Sequence, residues 1–321
     1  MRRRTFLSLA ATSMAMGLLP KAGHAATWPS HPVRFIAPSA AGGSLDILAR
    51  LFGRGLNERL GQAFVVENRG GAGGNIGYDL VAKSPPDGYT IMIASDPLAL
   101  NSSIYENLSY DPLRDFSPII MIANLAQVLV INPKLPTKNF AEFVELARAR
   151  PNTLNIGSSG NGAPGHLAVA LFNQSGVPLV HVPYRGAGPA LIDVMSGQTD
   201  GAIVTLPASI GMIKQGQLRA LAVTSSQRSR FVPELPTMME TMPRVVVDSW
   251  QALFAPAGTP ADIVQRLNSE CATLLNSPLI TAAFEAQGFE AGGGSPEKLG
   301  TFLRDEIAKW GPITKAAGIR A

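Results

Sequence analysis

The sequence predicts an α/β protein of two lobes, with mostly parallel sheets and a ligand cleft between the lobes. Three observations carry that expectation. Short apolar runs alternate with amphipathic stretches along the whole chain, the pattern of strands covered on both faces by helices. Two glycine-rich loops, residues 38–46 and 157–166, each follow an apolar run and open a helix-like stretch. The loops stand more than a hundred residues apart, which suits one per lobe. Parallel α/β sheets bind ligands at the carboxyl ends of their strands, and both loops sit at such ends.

The elements follow in order. Strand-like runs occur at 33–37, 63–66, 90–94, 119–123, 128–131, 154–156, 179–182, 201–205, 218–223 and 252–255. After the first run, Leu45, Leu48, Phe52, Leu56 and Leu60 form one apolar stripe at helical spacing. Asn139-Phe140-Ala141-Glu142 reads as a capping box, and Pro151 stops the helix behind it. Thr259-Pro260 and Ser295-Pro296 each place a capping side chain before a proline at the first helical position. The chain is expected to cross between lobes near 126–130 and to return near 250–254, two crossings that act as a hinge. Lobe 1 then comprises residues 26–125 and 251–321, and lobe 2 residues 126–250.

The N-terminus reads as a targeting segment. Arg2-Arg3-Arg4 precedes an apolar run ending near Leu19, and Gly23-His24-Ala25 supplies small residues at a cleavage site. This is a secretory signal over residues 1–25. Arg3-Arg4-Thr5-Phe6-Leu7 has the form of a twin-arginine export core, with the Sec route equally open. Cleavage is expected near Ala25-Ala26, so the mature chain is expected to be exported. The segment holds Arg2, Arg3, Arg4 and Lys21 and no acid, so the excess of 27 basic over 23 acidic residues belongs to it alone. The mature chain offers no basic face for nucleic acid or anionic membrane. Cys271 is the sole cysteine, so no intrachain disulfide can form.

Enzyme motifs are sparse. Gly160, Gly162 and Gly165 match G-x-G-x-x-G, but no Asp or Glu occurs from Asn161 to Ile192 to hold a ribose, and Pro164 interrupts the loop. No nicotinamide site, P-loop or other cofactor is expected. His31, His166 and His181 lack metal-ligand spacing, so no metal is expected either. Ser159 and His166 in the second loop leave open an exported hydrolase as the rival reading, although His166 also fits a packing or capping role.

Glycine lets a backbone turn its N–H groups toward a guest, and a helix N-terminus adds a partial positive charge. Two such loops can hold a small anion without a basic side chain. The candidate ligand-binding residues are Ser39, Ala40, Ala41, Gly42, Gly43, Ser44 and Asp46 in the first loop. Those in the second are Ser158, Ser159, Gly160, Asn161, Gly162 and Ala163. Asp46 also fits a brace for its loop, because an acid is favoured in a helix first turn.

Beyond the loops, Val65-Val66-Glu67-Asn68-Arg69-Gly70-Gly71-Ala72-Gly73-Gly74, Pro86-Asp87-Gly88-Tyr89-Thr90, Val182-Pro183-Tyr184-Arg185-Gly186, Leu218-Arg219-Ala220-Leu221-Ala222-Val223-Thr224 and Phe254-Ala255-Pro256-Ala257-Gly258-Thr259-Pro260 recur in a fixed order. With Trp28-Pro29 and the two loops, the chain resembles the extracytoplasmic solute receptors of tripartite tricarboxylate transporters, the Bug family. The resemblance spans essentially the whole mature chain. It implies a periplasmic-binding-protein fold of type II-like form that closes on a small carboxylate held by backbone amides of both loops. It implies membrane components of such a transporter as partners, and the chain is expected to be a monomer. A ligand-presenting sensor subunit is a further alternative. The resemblance adds Ser95 and Thr205 as candidates at the cleft. Ala163 replaces a Ser or Thr common in these receptors, and Val204 takes a position where many have Asp, with Thr205 beside it offering a hydroxyl. A ligand ammonium would lack a countercharge there, which favours a plain or aromatic carboxylate over an amino acid.

Overall fold

In the computed structural model, which describes residues 28–320, each predicted apolar run falls on a strand. The signal segment and its cleavage site lie outside the described residues. Strands β1 (Val33–Ala37), β2 (Phe64–Asn68) and β3 (Thr90–Ser95) pair in parallel, with β1 central. Helices α1 (Ser44–Leu60) and α2 (Asn75–Ala82) connect them. The apolar stripe of α1 is the cause of its packing: Leu45, Leu48, Phe52 and Leu56 are all buried, and burying each such side chain contributes about 1.5–3 kcal/mol. Helix α3 (Pro97–Ile104) then leads to β4 (Phe116–Ile131).

The second half repeats the plan. It contains α4 (Phe140–Ala149), β5 (Asn155–Ser158), α5 (Pro164–Gln174), β6 (Val180–Pro183), α6 (Ala187–Ser196), β7 (Gly201–Thr205), α7 (Leu206–Lys214) and β8 (Arg219–Val223). Strand β5 pairs in parallel with β6 and β7. The chain returns through β9 (Asp248–Pro256) and ends with α8 (Ala261–Leu275), α9 (Pro278–Gln287), β10 (Glu290–Gly293) and α10 (Pro296–Ala316). Among the described residues no helix is long and apolar enough to cross a membrane.

The expectation of mostly parallel sheets holds within each group of βα units. It fails at the centre. The runs 119–123 and 128–131 are halves of one sixteen-residue strand, β4. Its first half pairs antiparallel with β9 and β10, and its second half antiparallel with β7 and β8. Strand β9 likewise runs antiparallel to β3. The strand order is β2-β1-β3-β9-β4-β7-β5-β6. A strand leaving one lobe and another entering it must run in opposite senses, so the crossing pair cannot be parallel. Strand β4 changes partner between Ala126, paired with Asp248, and Gln127, paired with Thr205. This gives two lobes joined through β4 and β9.

Helices cover both faces of each lobe. One cluster joins Leu48 and Phe52 of α1 to Leu267 of α8 and Phe284 of α9. Another joins Trp250 and Phe254 of β9 to Leu299 and Leu303 of α10. In the second lobe, Phe140 and Phe172 meet from α4 and α5, while Leu191 and Val194 of α6 cover the opposite face. Leu100 and Ile104 of α3 and Trp310 of α10 join the α4–α5 cluster, so α3 and α10 tie the lobes together.

Local signals fared unevenly. Asn139 accepts the Glu142 N–H at 2.9 Å as expected, but the Glu142 carboxylate takes the Lys138 N–H rather than that of Asn139. Ser295 caps α10 through the Lys298 N–H at 3.3 Å. Thr259 caps nothing: its hydroxyl donates to the Pro256 carbonyl at 2.7 Å, and Pro260 occupies the position before α8. Strand β10 carries no apolar alternation at all. Its backbone pairs with β4, and a Cβ on Gly292 would lie 2.6 Å from the Met121 carbonyl oxygen.

Candidate functional site

The first loop leaves the end of β1 and enters α1. Gly42 has φ +83°, a left-handed conformation that glycine adopts freely. Its N–H donates to Asp46 Oδ2 at 2.9 Å, and Asp46 Oδ1 lies 2.9 Å from Arg50. The Arg50 guanidinium first, and the Gly42 N–H second, hold the Asp46 carboxyl below its ordinary range. Asp46 is buried, and both of its carboxylate oxygens are engaged within the protein, by the Gly42 N–H and by Arg50. Gly42 is a turn whose N–H is already engaged. Gly43 precedes the first helical residue, and its N–H reaches the Ala40 carbonyl at only 3.5 Å. The Ser39 N–H is engaged by the Ala37 carbonyl at 2.8 Å. Among the described residues, the N–H groups of Ala40, Ala41, Ser44, Leu45 and Asp46 have no acceptor, and those of a helix first turn project along its axis. Asp46→Ala is expected to cost about 1–2 kcal/mol and to speed amide exchange at Gly42. An unchanged Gly42 exchange rate would remove Asp46 from this role.

The second loop leaves β5 and enters α5. Ser158 is fully buried, and its hydroxyl lies 2.7 Å from His181 Nε2 and 3.0 Å from the Gly160 carbonyl. The Gly160 N–H meets Ser158 Oγ at 3.3 Å, and the Ala163 N–H meets the Gly160 carbonyl at 3.3 Å. Gly162 has φ +70°, and a Cβ there would lie 2.7 Å from Ile104 Cδ1. This contact brings the loop against α3. The Gly162 N–H donates to His166 Nδ1 at 3.1 Å, and the His166 and His181 rings stack 3.7 Å apart. Burial lowers both imidazoles to about 4. They are neutral at neutral pH, as an Nδ1 that accepts a backbone N–H requires. Among the described residues, the N–H groups of Ser159, Asn161, Gly165 and His166 have no acceptor.

The histidine–serine bond that forms here joins Ser158 to His181, not Ser159 to His166. Ser159 instead accepts the Gly186 N–H through its carbonyl at 3.1 Å. The pair on which the hydrolase alternative rested is therefore not assembled. Among the described residues no three of His, Cys, Asp and Glu gather as metal ligands.

Ser95 and Thr205 meet the crossing strands. Ser95 pairs across the sheet with Gln251 of β9, and Gln251 Nε2 donates to Ser44 Oγ at 2.6 Å. Ser44 and Ser95 are thus gathered by one glutamine. Thr205 ends β7 opposite Gln127 of β4 and precedes α7 without a side-chain capping bond. The sequence reading missed Gln127, Gln251, Ser249 and Asp96. The available signal was a polar residue inside an apolar strand, as in Leu125-Ala126-Gln127-Val128-Leu129. Asp96 is buried and accepts from the Ser249 hydroxyl at 2.8 Å and the Trp250 N–H at 3.3 Å. Burial raises its carboxyl to about 7 despite those bonds. Trp250 packs at 5.6 Å against Phe302 of α10, a core role.

Two α/β lobes, joined by antiparallel crossing strands and each offering a glycine loop at a helix N-terminus, define a solute-binding protein of the periplasmic type. Residues 48–319 match the family described as tripartite tricarboxylate transporter family receptor, and the chain belongs to that family. It is 38% identical over 298 residues to the protein BugT of Bordetella pertussis, covering 92% of this chain and 91% of the relative. A Rhodopseudomonas palustris protein solved with adipate is 40% identical, with a TM-score of 0.81 over 91% of this chain and 99% of that one. MatC from the same species, solved with bound malate, is 29% identical with a TM-score of 0.75, over 89% and 99% of the two chains.

Proposed function

We propose that this receptor captures a small organic carboxylate in the periplasm and delivers it to the membrane components of a tripartite tricarboxylate-type transporter. The observation that carries the reading is the set of unpaired first-turn N–H groups at the starts of α1 and α5, each led into by a glycine loop. They suit a carboxylate at either loop, and each gains strength as closure excludes water. The relatives solved with adipate and malate support the same ligand class.

In this reading the ligand-contacting groups are the backbones of Ala40, Ala41, Ser44, Ser159 and Asn161, with Ser95 and Thr205 at the cleft. Gly42, Gly43, Gly160, Gly162 and Ala163 shape the loops. No covalent step and no cofactor is required. The lobes divide at 126 and 251 as the sequence suggests, the signal is removed near Ala25-Ala26, and the receptor acts as a monomer.

The test is a thermal-shift screen of carboxylates on mature protein stripped of ligand by unfolding and refolding. A carboxylate at a hundred times its dissociation constant should add about 2.7 kcal/mol of stability. Failure of every carboxylate, with stabilisation by amines or neutral sugars instead, would end the proposal.

A further inference from the structure

We propose that Gln127 is a specificity-determining residue of this cleft and binds a second oxygen acceptor on the ligand, distal to the carboxylate held by the loops. The proposal rests on the carboxylate-receptor reading and names the part of the ligand that reading leaves undefined.

Strand alternation puts Leu125, Gln127 and Leu129 on one face of β4. Leu125 belongs to the first lobe's α1-side core and Leu129 to the second lobe's α5-side core. Gln127 stands between two apolar clusters, where the lobes meet. Ser249 and Gln251 of β9 share that face, since Ala126 pairs with Asp248 on the opposite one. Gln251 bonds Ser44 at the start of α1, which fixes the face as the one turned to the first loop. On the other side, Gln127 lies in register with Thr205.

Gln127 is 2% exposed, and its Nε2 has no hydrogen-bond partner. Leaving a buried amide donor unmade is costly, and a leucine of similar size would avoid that cost. A buried donor to which the protein itself offers no acceptor is explained, in a receptor, by a guest that takes it up once the lobes have parted to admit it. The chemistry on offer is donation: the Gln127 amide beside the Thr205 hydroxyl, with α7 starting at the next residue and its dipole favouring negative charge. Val204 packs with Val128 and Val130 on the opposite face, so its side chain does not line this end of the cleft as the sequence suggested, and the nearby Asp96 carboxylate is taken up by Ser249 and the Trp250 N–H. Gln251 pairs with Ala123, four residues before Gln127, about 13 Å away along the strand. Gln127 therefore reads a different end of the ligand from the one beside Ser44. The matching class is a dicarboxylate, or a carboxylate with a second oxygen acceptor.

The experiment is calorimetric titration of stripped mature protein with three matched pairs: succinate and butyrate, adipate and hexanoate, terephthalate and benzoate. The wild type should bind at least one diacid more tightly than its monoacid. Gln127→Leu should weaken that diacid at least tenfold and leave the monoacid within twofold. Its ligand-free melting temperature should stay level or rise, an outcome that a purely structural glutamine would not give. Gln127→Glu provides a second variant of the same shape, expected to repel the diacid more than the monoacid. Equal effects on both members of a pair, no effect on either, or no wild-type preference for any diacid would overturn the role of Gln127 alone. No binding of any of the six would overturn the carboxylate reading beneath it.

Discussion

Gly165→Ala is expected to lower the melting temperature by about 10 °C and to abolish ligand binding. A Cβ at Gly165 would lie 2.1 Å from the Ile203 carbonyl oxygen and 3.1 Å from Ser158 Cβ. The obstructing atom is backbone. Ile203 sits in β7 and pairs with Leu129 of β4, so it cannot yield without disturbing the strand that joins the lobes. Alternatively α5 must move outward, carrying the second loop with it. Overpacking of this kind costs more than about 3 kcal/mol, and each kcal/mol is about 2–4 °C in a chain of this size. Gly188→Ala is the control. It lies in α6 with open space around its Cβ position, and alanine there should be neutral or stabilising by about 0.5–1 kcal/mol. Equal melting temperatures for the two variants would contradict the close seating of α5 on β7.

The second large effect is a loss of stability in acid set by His166 and His181. Both are held near 4 by burial, with the neighbouring His166 adding to the effect at His181, against an ordinary value of about 6.5. Between those limits the unfolded chain binds protons that the folded chain refuses, so stability rises with pH. The contribution is complete above about pH 6.5 and disappears as the pH falls toward 4. Allowing for partial exposure, it amounts to about 1–2 kcal/mol for each ring. Protonated Nδ1 of His166 also cannot accept the Gly162 N–H, so the second loop should loosen and affinity should fall over the same interval.

Asp96 opposes this trend. Its carboxyl, raised to about 7 by burial, binds a proton in the folded state that the unfolded chain has released, so its contribution falls as the pH rises from 4 to 7. The clean measurement therefore uses Asp96→Asn. In that background the melting temperature should climb from pH 4 to 6.5 and level off, and adding His181→Phe should remove about half of the climb. A flat profile in the Asp96→Asn protein would exclude the histidine pair as its source.

The parts of the site that were readable from sequence were those set by local backbone chemistry. Gly42 and Gly162 mark left-handed turns, and each loop opens a helix, as their residues foretold. Which N–H groups remain free was not readable. Asp46 and His166 reach back four residues to occupy the Gly42 and Gly162 donors, and the same residue types would have suited a ligand. Gln127 and Gln251 escaped notice because a lone polar residue in an apolar run has meaning only when the face it occupies is known.

Composition and periodicity by themselves determined that this chain is an α/β protein and where its two glycine loops and all of its strands but β10 fall. These follow from short-range sterics and from the spacing of apolar side chains, which act within a few residues of each other. Only the tertiary structure decided that 119–123 and 128–131 form one continuous strand, that the lobe-joining strands pair antiparallel, and that Ser44, Ser95 and Gln251 converge. Those outcomes depend on contacts between residues as far apart as Ser44 and Gln251. Such contacts form only when the packing of both lobes offsets the entropy of bringing distant segments together.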